Sequence, residues 1–332
     1  MNILKKTIPV FLMILLIAGV FTSCGNSDKK QSDKTLQIVT TVFPAYDWTK
    51  EVLGDRAKDA ELTMLLDDGV DLHSYQPTAE DLEKIASCDL FIYVGGESDE
   101  WVEDALKSKT NKNRVEINLM DALGDSVKEE EEVEGMQAED EHEHEGDEAE
   151  SEEPEQDEHI WLSLRNAEVC TQAIADHLKK LDPSNKTAYE NNETAYKEKL
   201  TGLDKEYQDT VDHAKRKTLL FADRFPFRYL ADDYGLKYYA AFKGCSAETE
   251  ASFKTITFLA NKADEENLPY VMTIEGSDQK IAKSVISNTK KKTQQIMTMD
   301  SMQSTTSQDV KDGKSYLSVM EENLSVLQKA LN

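Results

Sequence analysis

The sequence predicts an α/β protein of two lobes with parallel sheets, joined by one long rigid helix. Two series of short β-rich runs alternate with helical stretches, the first over residues 36–119 and the second after residue 215. A single long helical pattern lies between the two series. The length of 332 residues also suits two domains, since a domain usually has about 100–200 residues.

The first series predicts an N-terminal α/β lobe over residues 36–180. Its strands are expected at 36–41, 61–66, 90–94 and 114–119. Its helices are expected at 46–52, 79–86 and 100–107. Because a helix separates consecutive strands, the strands are expected to run parallel.

The second series predicts a C-terminal α/β lobe over residues 216–332. Its strands are expected at 218–221, 237–242, 270–274 and 295–299. Its helices are expected at 228–234, 251–263, 279–288 and 316–330. The same alternation predicts a second parallel sheet.

Residues 181–215 predict the linking helix. Asp182 and Pro183 supply an N-cap and a first-turn proline. A stripe of apolar and aromatic side chains follows at helical spacing, at Tyr189, Tyr196, Leu200, Leu203, Tyr207 and Val211. About 30 residues would reach about 45 Å at the rise of an α-helix. Only Gly202 interrupts the pattern, so a rigid link is expected.

Residues 1–23 are predicted to be an export signal. Lys5 and Lys6 precede an apolar run at 8–21, which is too short to span a bilayer about 30 Å thick and suits a signal-peptide core. The run leads into FTSCG at 21–25, which resembles the lipobox of bacterial lipoproteins. The resemblance implies a lipid on Cys24, a flexible tether at 24–35 and an anchored position on the extracytoplasmic face of the cell membrane. The alternative is a plain secretory signal that happens to contain Cys24.

Negative charge is concentrated in one insert. The chain has 65 acidic residues and 38 Lys or Arg residues, and residues 126–158 hold 18 of the acids against one Lys. Without clustered basic residues, the chain is not expected to bind nucleic acid. The insert is either a solvated, self-repelling loop or, through His142 and His144, a weak trap for divalent cations.

Two of the six histidines lie at the ends of predicted elements, where ligands are usually placed. His73 lies in the run GVDLHSYQP at 69–77, and His159 lies in DEHIWLS at 157–163. Neutral imidazole is a common ligand for zinc and manganese. Either histidine alone is better explained as a structural or surface residue, and it is their shared context that indicates metal binding.

Four segments together resemble the zinc and manganese solute-binding family, which comprises metal-binding lipoproteins of ABC-type importers. They are DLHSYQPT at 71–78, GGESDEW at 95–101, DEHIWLS at 157–163 and LDPSN at 181–185. The likeness runs from about residue 36 to residue 331, and an acidic histidine-bearing insert is typical of the zinc members. The resemblance implies a metal bound between the lobes and delivered to a membrane permease, with no catalysis by the protein itself.

The same resemblance implies a ligand set. His73 and His159 match the first two metal ligands of the family, and Asp300, in MDS at 299–301, matches the fourth. Arg224 stands where the family has a His or Glu as third ligand. A guanidinium has no lone pair for a cation, so the usual set of four ligands is incomplete here.

Three glutamates are further candidates. Glu248 or Glu250 is expected to pair with Arg224 or to complete the metal shell. Glu275 is another candidate ligand, although a helix cap or a salt bridge suits it better.

We expect zinc rather than manganese at this site. Two imidazoles with one or two carboxylates suit a tetrahedral zinc ion, and manganese with added water is the alternative. Cys88, Cys170 and Cys245 are expected to be small buried residues, and whether Cys245 adds a thiolate is left open.

Two other functions, a surface adhesin and a zinc-dependent hydrolase, are alternatives to metal capture. A surface adhesin would have the same anchored, acidic sequence, whereas a zinc-dependent hydrolase has no HExxH or GxSxG run to support it. We expect a monomer that is not an enzyme.

Overall fold

The computed structural model describes residues 35–137, 155–246 and 250–332. Thr35–Asn332 forms one compact unit. The residues Cys24, His142, His144 and Glu248 lie outside the described part of the chain. No helix among the described residues is both long and apolar enough to cross a lipid bilayer.

Four parallel strands form the first sheet. They are β1 (Gln37–Thr40), β2 (Glu61–Met64), β3 (Leu90–Tyr93) and β4 (Val115–Asn118). Their order in the sheet is β2-β1-β3-β4. Thr40 is level with Met64 on one side and with Ile92 on the other. The loops that follow β2 and β3 therefore leave the same edge, which is where ligands bind in parallel sheets.

Four helices accompany this sheet. They are α1 (Phe43–Leu53), α2 (Ala79–Ser87), α3 (Trp101–Lys107) and α4 (Leu119–Leu123). A capping box of Thr78 and Asp81 begins α2, because each side chain accepts from the other's backbone N–H. This cap fixes the end of the loop that carries His73. The predicted helices match α1, α2 and α3 within a few residues, while α4 was not among them.

Two long helices follow in the chain, α5 (Leu164–Leu181) and α6 (Lys186–Asp212). Every residue of the predicted apolar stripe on α6 is buried, and α6 packs against α5 and α1. The predicted elements do not include α5, although Leu164, Ala167, Cys170, Ile174 and Leu178 line its buried face at helical spacing. Helix α6 therefore packs against the first lobe, and the second lobe follows it in the chain.

Four further parallel strands form the second sheet. They are β5 (Thr218–Phe225), β6 (Lys237–Lys243), β7 (Tyr270–Ile274) and β8 (Gln295–Met299), in the order β6-β5-β7-β8. The helices are α7 (Arg228–Tyr234), α8 (Phe253–Glu265), α9 (Lys280–Asn288), α10 (Ser307–Lys311) and α11 (Tyr316–Ala330). Two parallel α/β lobes and one long helix confirm the predicted fold class. Among the predicted strands, the largest difference is β5, which continues four residues beyond its predicted end and carries Arg224.

Helix α11 joins the two lobes. The backbone N–H of Tyr316 donates to Asp47 in α1 over 2.9 Å, and its hydroxyl donates to the carbonyl of Trp161 over 2.6 Å. One continuous hydrophobic core contains Trp48, Trp161 and Tyr316. Because side chains of both lobes fill this core, the edges of the two sheets that face each other are held at a fixed separation.

Both described ends of the acidic insert are ordered, so a solvated loop does not describe them. We call residues 126–137 the acidic strap. Glu130 donates its N–H to the carbonyl of Glu155 over 2.8 Å, and Asp157 donates to Lys128 over 2.8 Å. The strap then reaches the second sheet, where Gln137 donates to the carbonyl of Ala241 over 2.9 Å. The strap thus connects the first lobe to the outer strand of the second.

Opposite charges hold the strap to the second lobe. Glu131 lies 3.0 Å from Arg228, and Glu134 lies 3.9 Å from Lys262. The hydroxyl of Tyr238 also donates to Glu131 over 2.8 Å. Part of the acidic charge of the insert is therefore neutralised by basic side chains of the second lobe.

Candidate metal centre

The two predicted histidines lie in two loops of the first lobe, which the second lobe faces through Gln303. His73 lies in a single turn, Leu72–Ser74, after β2, and the Asp71 side chain caps this turn by accepting from the His73 N–H. His159 lies directly before the turn Ile160–Leu162, which leads into α5. Asp157 accepts from the His159 N–H over 2.8 Å. An aspartate two residues before each histidine therefore fixes the backbone of both.

The structure brings the two imidazoles together. Their Nε2 atoms are 3.2 Å apart, and their ring centroids are 5.1 Å apart. His159 is fully buried, and the His73 side chain is 10% exposed. Two ring nitrogens this close, within a nearly closed site, are positioned to share one cation or one proton.

Hydrogen-bonding partners at the Nδ1 atom of each ring, on the side away from the facing Nε2 atoms, orient both imidazoles. The Nδ1 of His159 lies 2.9 Å from Asp157, and the Nδ1 of His73 lies 2.8 Å from the Ser98 hydroxyl and 3.3 Å from Glu158. The Ser98 N–H donates to Glu158 over 2.7 Å and fixes that carboxylate. The tautomer with hydrogen on each Nδ1 satisfies these acceptors and leaves both Nε2 lone pairs facing each other. Metal-ligating histidines almost always donate the other ring N–H to a carboxylate, a backbone carbonyl or water.

Gly96 allows the Glu158 carboxylate to approach. Its φ is +83°, and a Cβ at this position would collide with the Glu158 side chain. Position 96 therefore requires glycine, because the Glu158 side chain packs closely against it and because its backbone is left-handed.

Nearby charges shift the pKa values of the site. Burial lowers the pKa of His159, but Asp157 and Glu130 outweigh it and hold this pKa above its usual value. Burial also raises the pKa of Glu158, yet hydrogen bonds from His73 and Ser98 hold it below its usual range. The site therefore favours positive charge on the His159 imidazole and negative charge on the Glu158 carboxylate.

Cys245 is a candidate third metal ligand beside His73 and His159. Its sulfur and a ring nitrogen of each of His73 and His159 all lie within 4.8 Å of one another. Cys245 is half-buried and is not in a disulfide. Burial, followed by the negative charges of Glu130 and Asp157, raises the pKa of its thiol.

Glu130 of the acidic strap belongs to a second group around His159. Its carboxylate, that of Asp157 and a ring nitrogen of His159 lie within 4.8 Å of one another. Burial and then the charge of Asp157 raise the pKa of Glu130. Glu130 was not among the predicted site residues, because it is one of many acids in the insert.

Gln303 contacts both imidazoles from the second lobe. Its side-chain nitrogen lies 3.2 Å from the Nε2 of His73 and is also in contact with the Nε2 of His159. The Gln303 backbone N–H donates to Glu275 over 3.1 Å. No local sequence signal distinguishes Gln303, since its chain neighbours show no motif.

Arg224 lies near His73 but is directed at a carboxylate. Its guanidinium donates to Asp71 over 2.6 Å, whereas we expected Glu248 or Glu250 as its partner. The extension of β5 to Phe225 places Arg224 on the strand, facing the turn that carries His73. A cleft of about 520 Å³ opens beside this pair, and Glu275 and Gln303 also line it.

The predicted acidic ligands lie in other interactions. Asp300 pairs with Lys314 over 2.7 Å, and Glu275 accepts hydrogen bonds from Ser301 and Gln303. Glu250 is exposed, and only its backbone carbonyl contacts the strap. Among the described residues, none of these three acids joins a group of three or more ligand atoms within 4.8 Å of one another. The Glu275 side chain is thus held by the loop that follows β8, and not by a helix cap or a salt bridge among the described residues.

Comparison with known proteins agrees with this fold. A family model described as the zinc-uptake complex component A, periplasmic, matches residues 38–330. The chain is 33% identical over 322 residues to the zinc-binding lipoprotein AdcA of Streptococcus pneumoniae, covering 96% of this chain and 60% of that protein. It is 32% identical over 326 residues to the high-affinity zinc uptake system protein ZnuA of Bacillus subtilis, covering 96% and 97%.

Solved structures show the same architecture. The Zn(II)-bound ZnuA-like domain of S. pneumoniae AdcA has a TM-score of 0.68 at 30% identity, covering 90% of this chain and 99% of that domain. The metal-dependent lipoprotein YcdH of B. subtilis has a TM-score of 0.71 at 27% identity, covering 90% and 99%.

Two parallel α/β lobes around a pair of carboxylate-oriented histidines define a two-lobed solute-binding protein of the metal-binding class. The chain belongs to the family of the zinc-uptake complex component A. The resemblance inferred from the four sequence segments is therefore confirmed. The chain spans about 60% of the length of the AdcA protein, so the activity of that whole protein is not transferred to it directly.

Proposed function

We propose that the protein captures one divalent metal ion between His73 and His159, with zinc preferred over manganese, and delivers it to an ABC importer. One observation carries the proposal: the two Nε2 atoms lie 3.2 Å apart, while each Nδ1 faces an acceptor. Imidazoles held in this way present two lone pairs to one point. That is the arrangement a metal ion requires of histidine ligands.

The charges around the pair also favour a cation. Asp157 and Glu158 are each only 1% exposed, and Glu130 lies against His159. Burying carboxylates without a positive partner costs several kcal/mol per ion, by the general penalty for desolvating charge. Arg224, the basic side chain at this edge, is paired with Asp71 instead. A bound divalent ion would balance the remaining negative charge.

The relatives support zinc as the metal and an importer as the partner. The matched proteins are named as zinc-binding and zinc-uptake components. With the predicted lipid on Cys24, the protein would be anchored at the extracytoplasmic face of the membrane. It would work there as a monomer, passing metal to the permease and catalysing no reaction.

Thermal unfolding with and without zinc tests this function. Zinc should raise the Tm of the purified protein, and a chelator should reverse the rise, because an ion that binds only the folded state stabilises it. At about 1,000 times its Kd, a ligand adds about 4 kcal/mol. His159→Ala should remove the rise, whereas His213→Ala, an exposed histidine at the end of α6, should retain it. An equal rise in His159→Ala would place the metal elsewhere and overturn the proposal.

A further inference from the structure

We propose that Cys245 binds the captured metal as a thiolate and is its third protein ligand, an inference that rests on the function proposed above. The Cys245 sulfur and a ring nitrogen of each of His73 and His159 lie within 4.8 Å of one another. Zinc binds histidine nitrogen at about 2.0–2.1 Å and cysteine sulfur at about 2.3 Å. A group of this size needs only small movements of the three side chains to surround one ion, provided that the Gln303 amide, which contacts both imidazoles, turns aside.

The position of Arg224 explains why another residue supplies the third ligand. Arg224 is directed at Asp71 and has no lone pair for a metal. In the second sheet, Arg224 on β5 is level with Phe242 on the adjacent strand β6. Cys245 comes three residues after Phe242, in the loop that leaves the same edge. The neighbouring strand thus brings a donor to the edge where β5 presents a guanidinium.

Gly244 lets this loop lie against the histidine. A Cβ at position 244 would be 3.0 Å from the Cε1 of His159 and 3.0 Å from the carbonyl of Phe225. Real Cβ contacts are rarely this short, so the backbone before Cys245 approaches the imidazole closely only because residue 244 is glycine. This contact holds the Cys245 side chain beside the pair.

Glu130 provides a destination for the thiol proton. The Cys245 N–H donates to Glu130 over 3.1 Å, which places this carboxylate against the cysteine. When the metal binds, the S–H bond breaks and a metal–sulfur bond forms, and the proton passes to Glu130 or to water. Two neutral imidazoles and one thiolate then reduce the charge of the ion to +1 at the centre of an acidic site.

A thiolate ligand would make the site prefer zinc over manganese. Thiolate is a soft ligand that selects zinc, whereas manganese prefers carboxylate, carbonyl and water oxygens. Cys245 is therefore expected to set the preference for zinc over manganese. His73 and His159 alone would bind both metals more equally.

Cobalt(II) as a spectroscopic substitute tests this ligand. The wild-type protein should develop thiolate-to-cobalt charge-transfer absorption in the near ultraviolet, saturating at one equivalent. Cys245→Ser should lack this absorption and bind zinc at least about tenfold more weakly, since changes outside the ligand shell alone cost about 10–100-fold. Its affinity for manganese should fall less. The control Cys88→Ser should behave as wild type, because Cys88 is a buried residue at the C-terminal end of α2 and its thiol donates to the carbonyl of Ile85.

Alkylation of the wild-type protein provides a second test that does not depend on how the variant folds. At a pH high enough to ionise this thiol, whose pKa is raised, Cys245 of the metal-free protein should react with iodoacetamide, as read by peptide mass spectrometry. Zinc should protect Cys245 in the wild-type protein and should fail to protect it in His73→Ala. Equal alkylation with and without zinc would overturn the inference.

The outcomes separate this inference from the function on which it rests. Metal binding that depends on His73, without thiolate absorption and with full zinc affinity in Cys245→Ser, would remove Cys245 as a ligand and leave the function intact. Failure of the wild-type protein to bind any metal stoichiometrically would overturn both.

Discussion

Arg224 donates a hydrogen bond of 2.6 Å to Asp71, and Asp71 also caps the turn that carries His73. Burial raises the pKa of Asp71, but Arg224 and His73 outweigh it and hold this pKa below its usual range. Arg224 therefore neutralises the Asp71 carboxylate, whose other oxygen lies 4.0 Å from the Nε2 of His73. Arg224, at the position where the sequence resemblance implied a third ligand, thus has an electrostatic role.

Removing the arginine should tighten metal binding. In Arg224→Met, Asp71 keeps its hydrogen bond to the turn but loses its positive partner. A unit charge about 8 Å from a divalent ion contributes about 1–2 kcal/mol of repulsion at an effective dielectric constant of about 40–80. Calorimetric titration should therefore show roughly tenfold tighter zinc binding.

Arg165→Met is the matched control, because Arg165 pairs with Asp204 on α6 and not with Asp71. It should leave zinc affinity unchanged. If Arg224→Met bound zinc no more tightly than wild type, the arginine would not oppose the metal.

The carboxylates behind the histidines should contribute to affinity without touching the metal. Glu158→Gln keeps an oxygen for the Ser98 N–H but removes the negative charge beside the Nδ1 of His73. Zinc affinity should fall about 10–100-fold, as for other outer-shell partners of metal-ligating histidines. Glu155→Gln, at an exposed residue 3.8 Å from Lys243, should have no effect on the same titration. Equal affinities of the two variants would remove Glu158 from the site.

The middle of the acidic insert should be dispensable for tight binding. Replacing residues 138–154 with a Gly-Ser segment of equal length removes His142 and His144 but leaves the acidic strap intact. Native mass spectrometry should show one tightly held zinc in both proteins, while any weaker additional ions disappear from the variant. Loss of the tight ion would place the main site in the insert and contradict the His73–His159 centre.

Metal binding should weaken in acid. The pKa of His159 lies above its usual value of about 6.5, because Asp157 and Glu130 outweigh the effect of burial. Without metal, protonated His159 stabilises the fold below about pH 6.5, and this contribution is lost as the pH rises through the raised pKa. Since the metal must displace that proton, the rise in Tm caused by zinc should be larger at about pH 8 than at about pH 6. A rise independent of pH would show that His159 releases no proton.

Local periodicity explains which parts of the fold could be predicted. The stripe on α6 and the strands at 270–274 and 295–299 were predicted because each forms a regular pattern of apolar residues. The helices α4 and α10 have five residues each, which is too short for a helical period to be recognised. The end of β5 was missed because its register with β6 is irregular between Phe221 and Arg224.

The site was predicted less completely than the fold because its contacts join distant parts of the chain. His73 and His159 could be named from their motifs, although they are 86 residues apart. Gln303 reaches His73 across 230 residues, and nothing in its local sequence marks it. Asp300 was named by its position in the family pattern, but the structure gives it Lys314 as partner, a contact set by the fold.

Calorimetric titration of the purified protein with zinc, alongside His73→Ala, is the most direct test of metal capture by the His73–His159 pair. We expect one tight equivalent of zinc in the wild-type protein and its loss in the variant. Only weak equivalents, unchanged by the substitution, would contradict it, because the metal would then be held by exposed acids and not by the histidine pair.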